Sequence, residues 1–130
     1  MRLADTSFWI ALAASRDAHH DEAVELWSRQ EEPVLVTNHI AGETWTFLRR
    51  RAGHAAAMSA LGVFHSHEVR LFHVQDKVEA EAWKWLARHD ERSYSFVDAT
   101  SFATMRRFRV REALAFDDDF AAAGFMEARP

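Results

Sequence analysis

The chain has 130 residues, a net charge of −4 with histidine neutral, 48% hydrophobic residues and no cysteine. This length and composition predict one compact domain, 1–130, and exclude a disulfide framework and thiolate metal sites. No apolar run approaches the roughly 20 residues that span a bilayer, and an early acid argues against an export signal, so we expect a cytoplasmic protein without membrane contact. The acidic balance argues mildly against a large basic nucleic-acid-binding surface, but it is compatible with an enzyme that has a local basic rim.

The first half of the chain alternates short apolar runs with helical patterns. "MRLA" predicts a strand that ends at Asp5, followed by helices over about 8–14 and 20–30. "VLVT" predicts a buried strand, and Asn38 is the expected cap of the next helix. Gly53 interrupts that helix, and "HAAAMSALGVFH" predicts another one.

The second half continues the alternation. "EVRLFHV" predicts a strand, and the helix after it carries Val78, Ala82 and Trp85 on one face. "YSFV" predicts a strand-like or extended run that leads to Asp98 and a further helix, "EALAF" predicts a strand that ends at Asp117, and "GFMEA" predicts a last short strand. Strands that alternate with helices predict an α/β fold with a mostly parallel sheet.

Four carboxylates stand where such a sheet would gather a ligand. Asp5 and Asp117 close predicted strands, Asp98 opens a helix, and Glu43 lies on the helix after "VLVT" with a side chain long enough to reach back. Parallel strands end along one edge, and open sheets of this kind bind their ligands there. Taken singly, each acid has an ordinary explanation as a cap, a strand end or a solvated residue, so only the joint pattern indicates a site.

Clustered carboxylates repel one another, and a divalent cation such as Mg²⁺, which prefers oxygen ligands, relieves that repulsion. A metal of this kind activates water and stabilises charge on phosphate, so hydrolysis of a phosphodiester is the chemistry most naturally served. The eight histidines have no zinc-site spacing, and we expect them in cap, surface or core positions, with His39 the one close to Glu43 in the sequence.

The acidic segments "LADTSFW", "TNHIAGETWTFL", "YSFVDATSFATM" and "ALAFDDDFAAAGF" have the order and spacing of a known family. The chain resembles the PIN domain over essentially its whole length, in particular the VapC-type toxin ribonucleases of bacterial toxin–antitoxin pairs. The last segment, in which the acids are followed by Phe120 and by Gly124 and Phe125, is fairly specific. The resemblance implies a PIN-like three-layer α/β/α fold with a mostly parallel central sheet flanked by helices.

The same resemblance implies the site residues. Four acids correspond to the active-site positions of the family: Asp5, Glu43, Asp98 and Asp117. It makes Asp5 and Asp98 the direct ligands of Mg²⁺ or Mn²⁺, and Thr6 or Ser7 a support at the rim through a hydroxyl. The triple Asp leaves open whether Asp117 or Asp119 is the fourth acid, and Asp119 is kept as a supporting residue.

The resemblance further implies metal-dependent endonucleolytic cleavage of RNA, and members of the family are commonly homodimers held inactive by a small antitoxin. Two surfaces could serve such protein partners. Trp83 and Trp85 cannot share one helix face, so one of them is expected at the surface or in an interface. A groove built by the early helices with Trp9 and Trp27 is the other candidate. The arginine clusters at 49–51 and 106–111 could contact phosphate or an acidic antitoxin.

Two alternatives come from other functional classes. A receiver-like signalling domain also holds Mg²⁺ with clustered acids, but it needs an acid pair after its first strand and a late lysine, whereas this chain has no lysine after Lys84. A non-catalytic interaction module would keep the fold without the chemistry, and the intact acids argue against it.

Overall fold

The computed structural model describes residues 1–130 as a central sheet flanked by helices. The sheet has five strands: β1 (Arg2–Ala4), β2 (Val34–Thr37), β3 (Val69–Phe72), β4 (Glu112–Leu114) and β5 (Met126–Glu127). The helices are α1 (Thr6–Ala13), α2 (His20–Ser28), α3 (Asn38–Ala52), α4 (His54–Phe64), α5 (Asp76–Arg88), α6 (Phe96–Phe108) and α7 (Asp119–Ala122). None of them is long and apolar enough to cross a membrane.

All four strand pairings are parallel, and the strand order is β3-β2-β1-β4-β5. The chain therefore winds from β1 outward to β3 on one side and returns to build β4 and β5 on the other side. The order reverses between β1 and β4, and in open α/β sheets such a switch point opens a crevice at the carboxyl ends of the strands. The backbone N–H of Asp5 donates to the carbonyl of Leu114 at 3.0 Å, which continues the β1–β4 pairing up to this crevice.

The core is built from apolar side chains of the strands and from the inner faces of the helices. Helix α1 is fixed to β1 by its Trp9 indole, which donates to the carbonyl of Ala4 at 3.1 Å. On α5 the residues Val78, Ala82 and Trp85 are buried, as their spacing predicted. Trp83 points the other way and is 54% exposed, so the two tryptophans divide between core and surface as predicted.

Two local predictions need correction. The "YSFV" run is not a strand, and only Ser95 has the extended conformation that was the alternative. Ser95 is the N-cap of α6, which begins at Phe96, because its hydroxyl accepts from the N–H of Asp98. The cap of α3 is Thr37 instead of Asn38, because the Thr37 hydroxyl accepts from the N–H of Ile40 at 3.1 Å. Asn38 is the first helical residue, and its side chain accepts from the N–H of Val74.

Candidate active site: an acidic cluster at the sheet edge

Asp5 follows β1 directly and caps α1. Its Oδ2 accepts from the N–H of Ser7 at 3.1 Å and from the Ser7 hydroxyl at 2.8 Å. The same hydroxyl oxygen accepts from the N–H of Phe116 at 3.1 Å, so Ser7 joins the end of β1 to the segment after β4. The ordinary explanation of Asp5 as a helix cap is therefore correct, and the cap also fixes the carboxylate at the switch point.

Asp98 lies in the first turn of α6 and is buried, with 8% of its surface exposed. Its Oδ2 accepts from the N–H of Ser95 at 3.0 Å, and its own N–H donates to the Ser95 hydroxyl at 2.9 Å, which completes a capping box. A capping box satisfies two backbone donors reciprocally and constrains the side chains that accept from them. This local motif thus holds the Asp98 carboxylate against the sheet edge without a strand before it.

The triple Asp forms the turn between β4 and α7. Asp118 has a positive φ of 65°, a left-handed conformation that Asp tolerates better than most residues. The Oδ1 of Asp117 accepts from the N–H of Asp119 at 3.2 Å across this turn. Asp117 and Asp119 are consequently brought together, and Asp118 supplies the bend between them.

A cluster of three carboxylates results. One oxygen each from Asp98, Asp117 and Asp119 lies within 4.8 Å of the other two. Asp5 stands outside this trio but close to it: burial raises the pKa of Asp5 to about 8, with the charges of Asp117 and then Asp98 adding to the rise against the Ser7 hydrogen bonds. The geometry therefore keeps both candidates for the fourth acid, because it places Asp117 and Asp119 beside Asp98.

The neighbouring charges also act on the trio itself. Desolvation raises the pKa of Asp117 to about 6, and the charges of Asp119 and Asp98 add to it. The pKa of Asp98 is raised by burial, with contributions from Asp119 and Glu43 that oppose the Ser95 hydrogen bonds. These acids are thus held together at a cost that a bound cation would remove.

Each of the four aspartates uses one oxygen for a hydrogen bond and keeps the other free. The bonded oxygens are Oδ2 of Asp5, Oδ2 of Asp98, Oδ1 of Asp117 and Oδ1 of Asp119. None of these four free oxygens is fully buried, so each is in contact with solvent. Hard divalent cations take carboxylate oxygens and keep several waters, so an all-oxygen set with one free atom per residue fits Mg²⁺ or Mn²⁺.

The other predicted residues lie around this cluster. Glu43 is exposed on α3, makes no hydrogen bond, and lies near enough to Asp98 to contribute to its raised pKa, so it belongs to the rim. Thr6 is buried, and its hydroxyl has no hydrogen-bond partner. Between the two candidate hydroxyls, only Ser7 bonds an acid of the site.

Sequence reasoning missed Arg92, which lies in the loop between α5 and α6. Its Nε and one terminal nitrogen donate to Oδ1 of Asp119 at 3.0 and 2.9 Å. These two hydrogen bonds orient the Asp119 carboxylate, and the guanidinium partly compensates its negative charge. No sequence signal links the two residues, because they are 27 positions apart and one lies in a loop while the other begins α7.

The early helices carry the apolar groove that the sequence allowed. It has a volume of about 300 Å³ and is lined almost entirely by apolar side chains, including Trp9, Leu12, Trp27, Ala60 and Val63.

The fold and the acidic cluster define a class of protein. The sequence model of the PIN domain matches residues 2–126, and the chain belongs to the PIN domain family. The resemblance seen in the sequence is therefore confirmed, together with the three-layer α/β/α fold. The strand order also differs from the 2-1-3-4-5 order of receiver domains, which removes the receiver-like alternative.

Particular relatives narrow the likeness. The chain is 54% identical over 130 residues to the "23S rRNA-specific endonuclease VapC20" of two Mycobacterium tuberculosis strains, covering all of this chain and 99% of the relative. It is 27% identical over 128 residues to a VapC ribonuclease of Archaeoglobus fulgidus, with 92% of this chain and 78% of that protein covered. The crystal structure of M. tuberculosis VapC20, described as a sarcin–ricin loop cleaving toxin, matches with a TM-score of 0.97 at 52% identity over the whole of both chains.

Proposed function

We propose that this chain is an endoribonuclease toxin that hydrolyses RNA phosphodiester bonds with Mg²⁺ or Mn²⁺ held by its acids. The observation that carries the proposal is the convergence of Asp98, Asp117 and Asp119 within 4.8 Å beside Asp5, at the switch point of a parallel sheet. The full-length likeness to VapC20 supports RNA as the substrate and, more narrowly, the sarcin–ricin loop of 23S rRNA.

We assign the cation to the free oxygens of this cluster. Asp98 belongs both to the pair expected as ligands and to the observed trio, so it would be a direct ligand. Asp5, Asp117 and Asp119 would contribute oxygens directly or through waters, as is usual where a hard cation keeps part of its hydration shell. When bound, the cation lowers the pKa of a water and stabilises charge on the scissile phosphate.

The remaining residues orient these groups and move the proton. Ser7 fixes one oxygen of Asp5, the capping box fixes one oxygen of Asp98, and Arg92 fixes one oxygen of Asp119. Their preorganisation saves the reaction the cost of arranging the acids around the phosphate. We assign to Glu43, which is exposed at the rim and whose side chain makes no hydrogen bond, the role of accepting a proton from an attacking water at its carboxylate.

The partners follow from the same assignment. We place a small antitoxin in the apolar groove that includes Trp9, Trp27 and Ala60, because an amphipathic helix of a partner would bury the exposed apolar surface there. The protein acts as a homodimer of single PIN-like domains, residues 1–130. A toxin directed at ribosomal RNA works in the cytoplasm.

The test is cleavage of a synthetic sarcin–ricin hairpin by the purified chain. With Mn²⁺ or Mg²⁺ we expect one dominant cut, which gives two fragments, and we expect no cut in EDTA or with Asp98→Asn. The fold of the variant is checked by circular dichroism. Cleavage that survives both EDTA and Asp98→Asn would refute the assignment, and a metal-dependent product from another RNA only would refute the sarcin–ricin substrate.

A further inference from the structure

An exposed aromatic platform borders the acidic cluster. The Trp83 and Phe96 rings stack with centroids 4.2 Å apart and planes 26° apart, and the His39 ring packs against Phe96 at 5.4 Å. Phe96 begins α6 two residues before Asp98, and His39 lies one turn before Glu43 on α3. Two of its three rings, Phe96 and His39, therefore lie at the starts of the helices that carry Asp98 and Glu43, and Trp83 joins them from the middle of α5.

The outer ring of this platform is uncovered. Trp83 is 54% exposed, although Trp85, two positions along the same helix, is almost completely buried in the core. An exposed indole leaves apolar area in water, and tryptophan is enriched at interfaces, where a partner covers the ring.

A cavity that shares His39 with the platform carries a net positive charge, because two arginines and one glutamate line it. The cavity has a volume of about 540 Å³ and lies between α3 and α6, with Glu43 and Val97 near His39 and with Arg50 and Arg51 further along α3. Arg50 follows Glu43 by seven residues, which places it about 10 Å along the helix. A chain that lies in this cavity and on the platform thus meets aromatic rings, two guanidinium groups and the rim residue Glu43.

Aromatic rings beside arginines are the combination that binds single-stranded nucleic acid. Bases stack on aromatic rings whatever their sequence, and arginines contact the phosphates between them. A protein partner would need acidic side chains opposite the two arginines. RNA supplies both a flat base for the ring and negative phosphates for the arginines. Charge complementarity together with the position beside the acids therefore favours RNA.

We propose that an unpaired base next to the scissile phosphate stacks on the exposed face of Trp83, while the adjoining phosphates contact Arg50 and Arg51. The inference rests on the proposed function for the site, but it concerns binding, so it can be tested without cleavage. It makes Trp83 a positioning residue that selects unpaired RNA over a regular duplex, whose bases are already stacked.

The experiment is a binding cycle in the Asp98→Asn chain, which removes cleavage from the measurement. Fluorescence anisotropy compares a single-stranded octaadenylate with an octamer of the same ribose–phosphate backbone without bases. We expect Trp83→Ala to weaken octaadenylate binding on the order of tenfold and to change binding of the abasic octamer less than about twofold. Trp83→Phe should restore most of the loss, because it keeps a ring on which a base can stack.

Three further variants separate base stacking on Trp83 from other contacts with the RNA. Phe108→Ala removes an exposed aromatic at the far end of α6 and should leave both ligands unaffected. Arg50→Gln and Arg51→Gln should weaken binding of both octamers and each lower the slope of log affinity against log salt by about one.

Three results would overturn the proposal. The first is an equal effect of Trp83→Ala on both octamers, and the second is no octaadenylate binding by the Asp98→Asn chain. The third is a drop of the molecular mass in light scattering from dimer to monomer with Trp83→Ala, which would assign the platform to a second copy of the chain. Base-dependent binding in a wild-type chain that cleaves no RNA would sustain the platform while refuting the proposed function.

Discussion

Replacing Asp5 by Asn should stabilise the metal-free protein although it removes an acid of the site. The pKa of Asp5 is raised from 3.8 to about 8, chiefly by burial and then by the charge of Asp117. Below pH 3.8 the carboxyl is protonated in both the folded and the unfolded chain, so it costs nothing. Between pH 3.8 and about 8 only the unfolded chain releases this proton readily, so stability falls as the pH rises. Asn keeps an oxygen that accepts from Ser7 and has no charge to bury.

The size of the effect follows from the pH interval. Each pH unit over which folding retains the proton costs about 1.4 kcal/mol, so the interval from 3.8 to about 8 corresponds to a gain of at most about 6 kcal/mol. The new amide N–H group of Asn is buried and costs about 1–3 kcal/mol where it finds no partner. We therefore expect Asp5→Asn to raise the free energy of unfolding by about 3–5 kcal/mol at pH 8 in EDTA and to give no gain near pH 4. Mn²⁺ should reverse the order at pH 8, because the cation stabilises only a folded chain whose carboxylates are ionised.

The assay is urea unfolding followed by tryptophan fluorescence at several pH values, with and without Mn²⁺. Asp90→Asn is the matched control, since Asp90 is exposed and its side chain makes no hydrogen bond. A variant that is no more stable than wild type at pH 8 in EDTA would refute the reasoning. So would a stability gain of the same size at pH 4, or a gain of the same size in Asp90→Asn.

Three further variants separate support, catalysis and partner binding. Ser7→Ala should lower the free energy of unfolding by about 1–2 kcal/mol in chemical denaturation and slow cleavage, because it breaks the bridge from Asp5 to Phe116. An unchanged free energy of unfolding would show that this bridge does not stabilise the fold. Glu43→Gln should lower kcat without changing the unfolding midpoint, because Glu43 is exposed and makes no hydrogen bond; an unchanged kcat would remove it from the mechanism. Ala60→Arg should abolish antitoxin binding in calorimetry while RNA cleavage continues, whereas retained binding would place the antitoxin elsewhere.

The fold could be predicted because its signals are local. Apolar runs such as "VLVT" alternate with amphipathic helices such as α5, and that alternation determines a parallel sheet with crossovers. Asp5 could be placed at the sheet edge for the same reason, since it directly follows a strand. Asp117 was placed correctly at the edge, although β4 ends at Leu114 and two residues separate them.

Other features depended on information that a single sequence does not carry. The "YSFV" run has β-propensity, but the capping box of Ser95 and Asp98 starts a helix there. The left-handed conformation of Asp118 brings Asp117 and Asp119 together, and three identical residues in a row do not predict which of them adopts it. Arg92 was missed since its contact with Asp119 joins a loop to the start of α7, and only the tertiary fold brings the two together.

Titration of Mn²⁺ into the apo protein, measured by calorimetry, tests the central claim that these carboxylates form a divalent cation site. We expect saturable Mn²⁺ binding to the wild-type chain and to Asp90→Asn. Asp98→Asn should bind Mn²⁺ at least tenfold more weakly, because Asp98 is a ligand in every assignment made above. Equal binding by wild type and Asp98→Asn, or no binding to the wild-type chain, would contradict it.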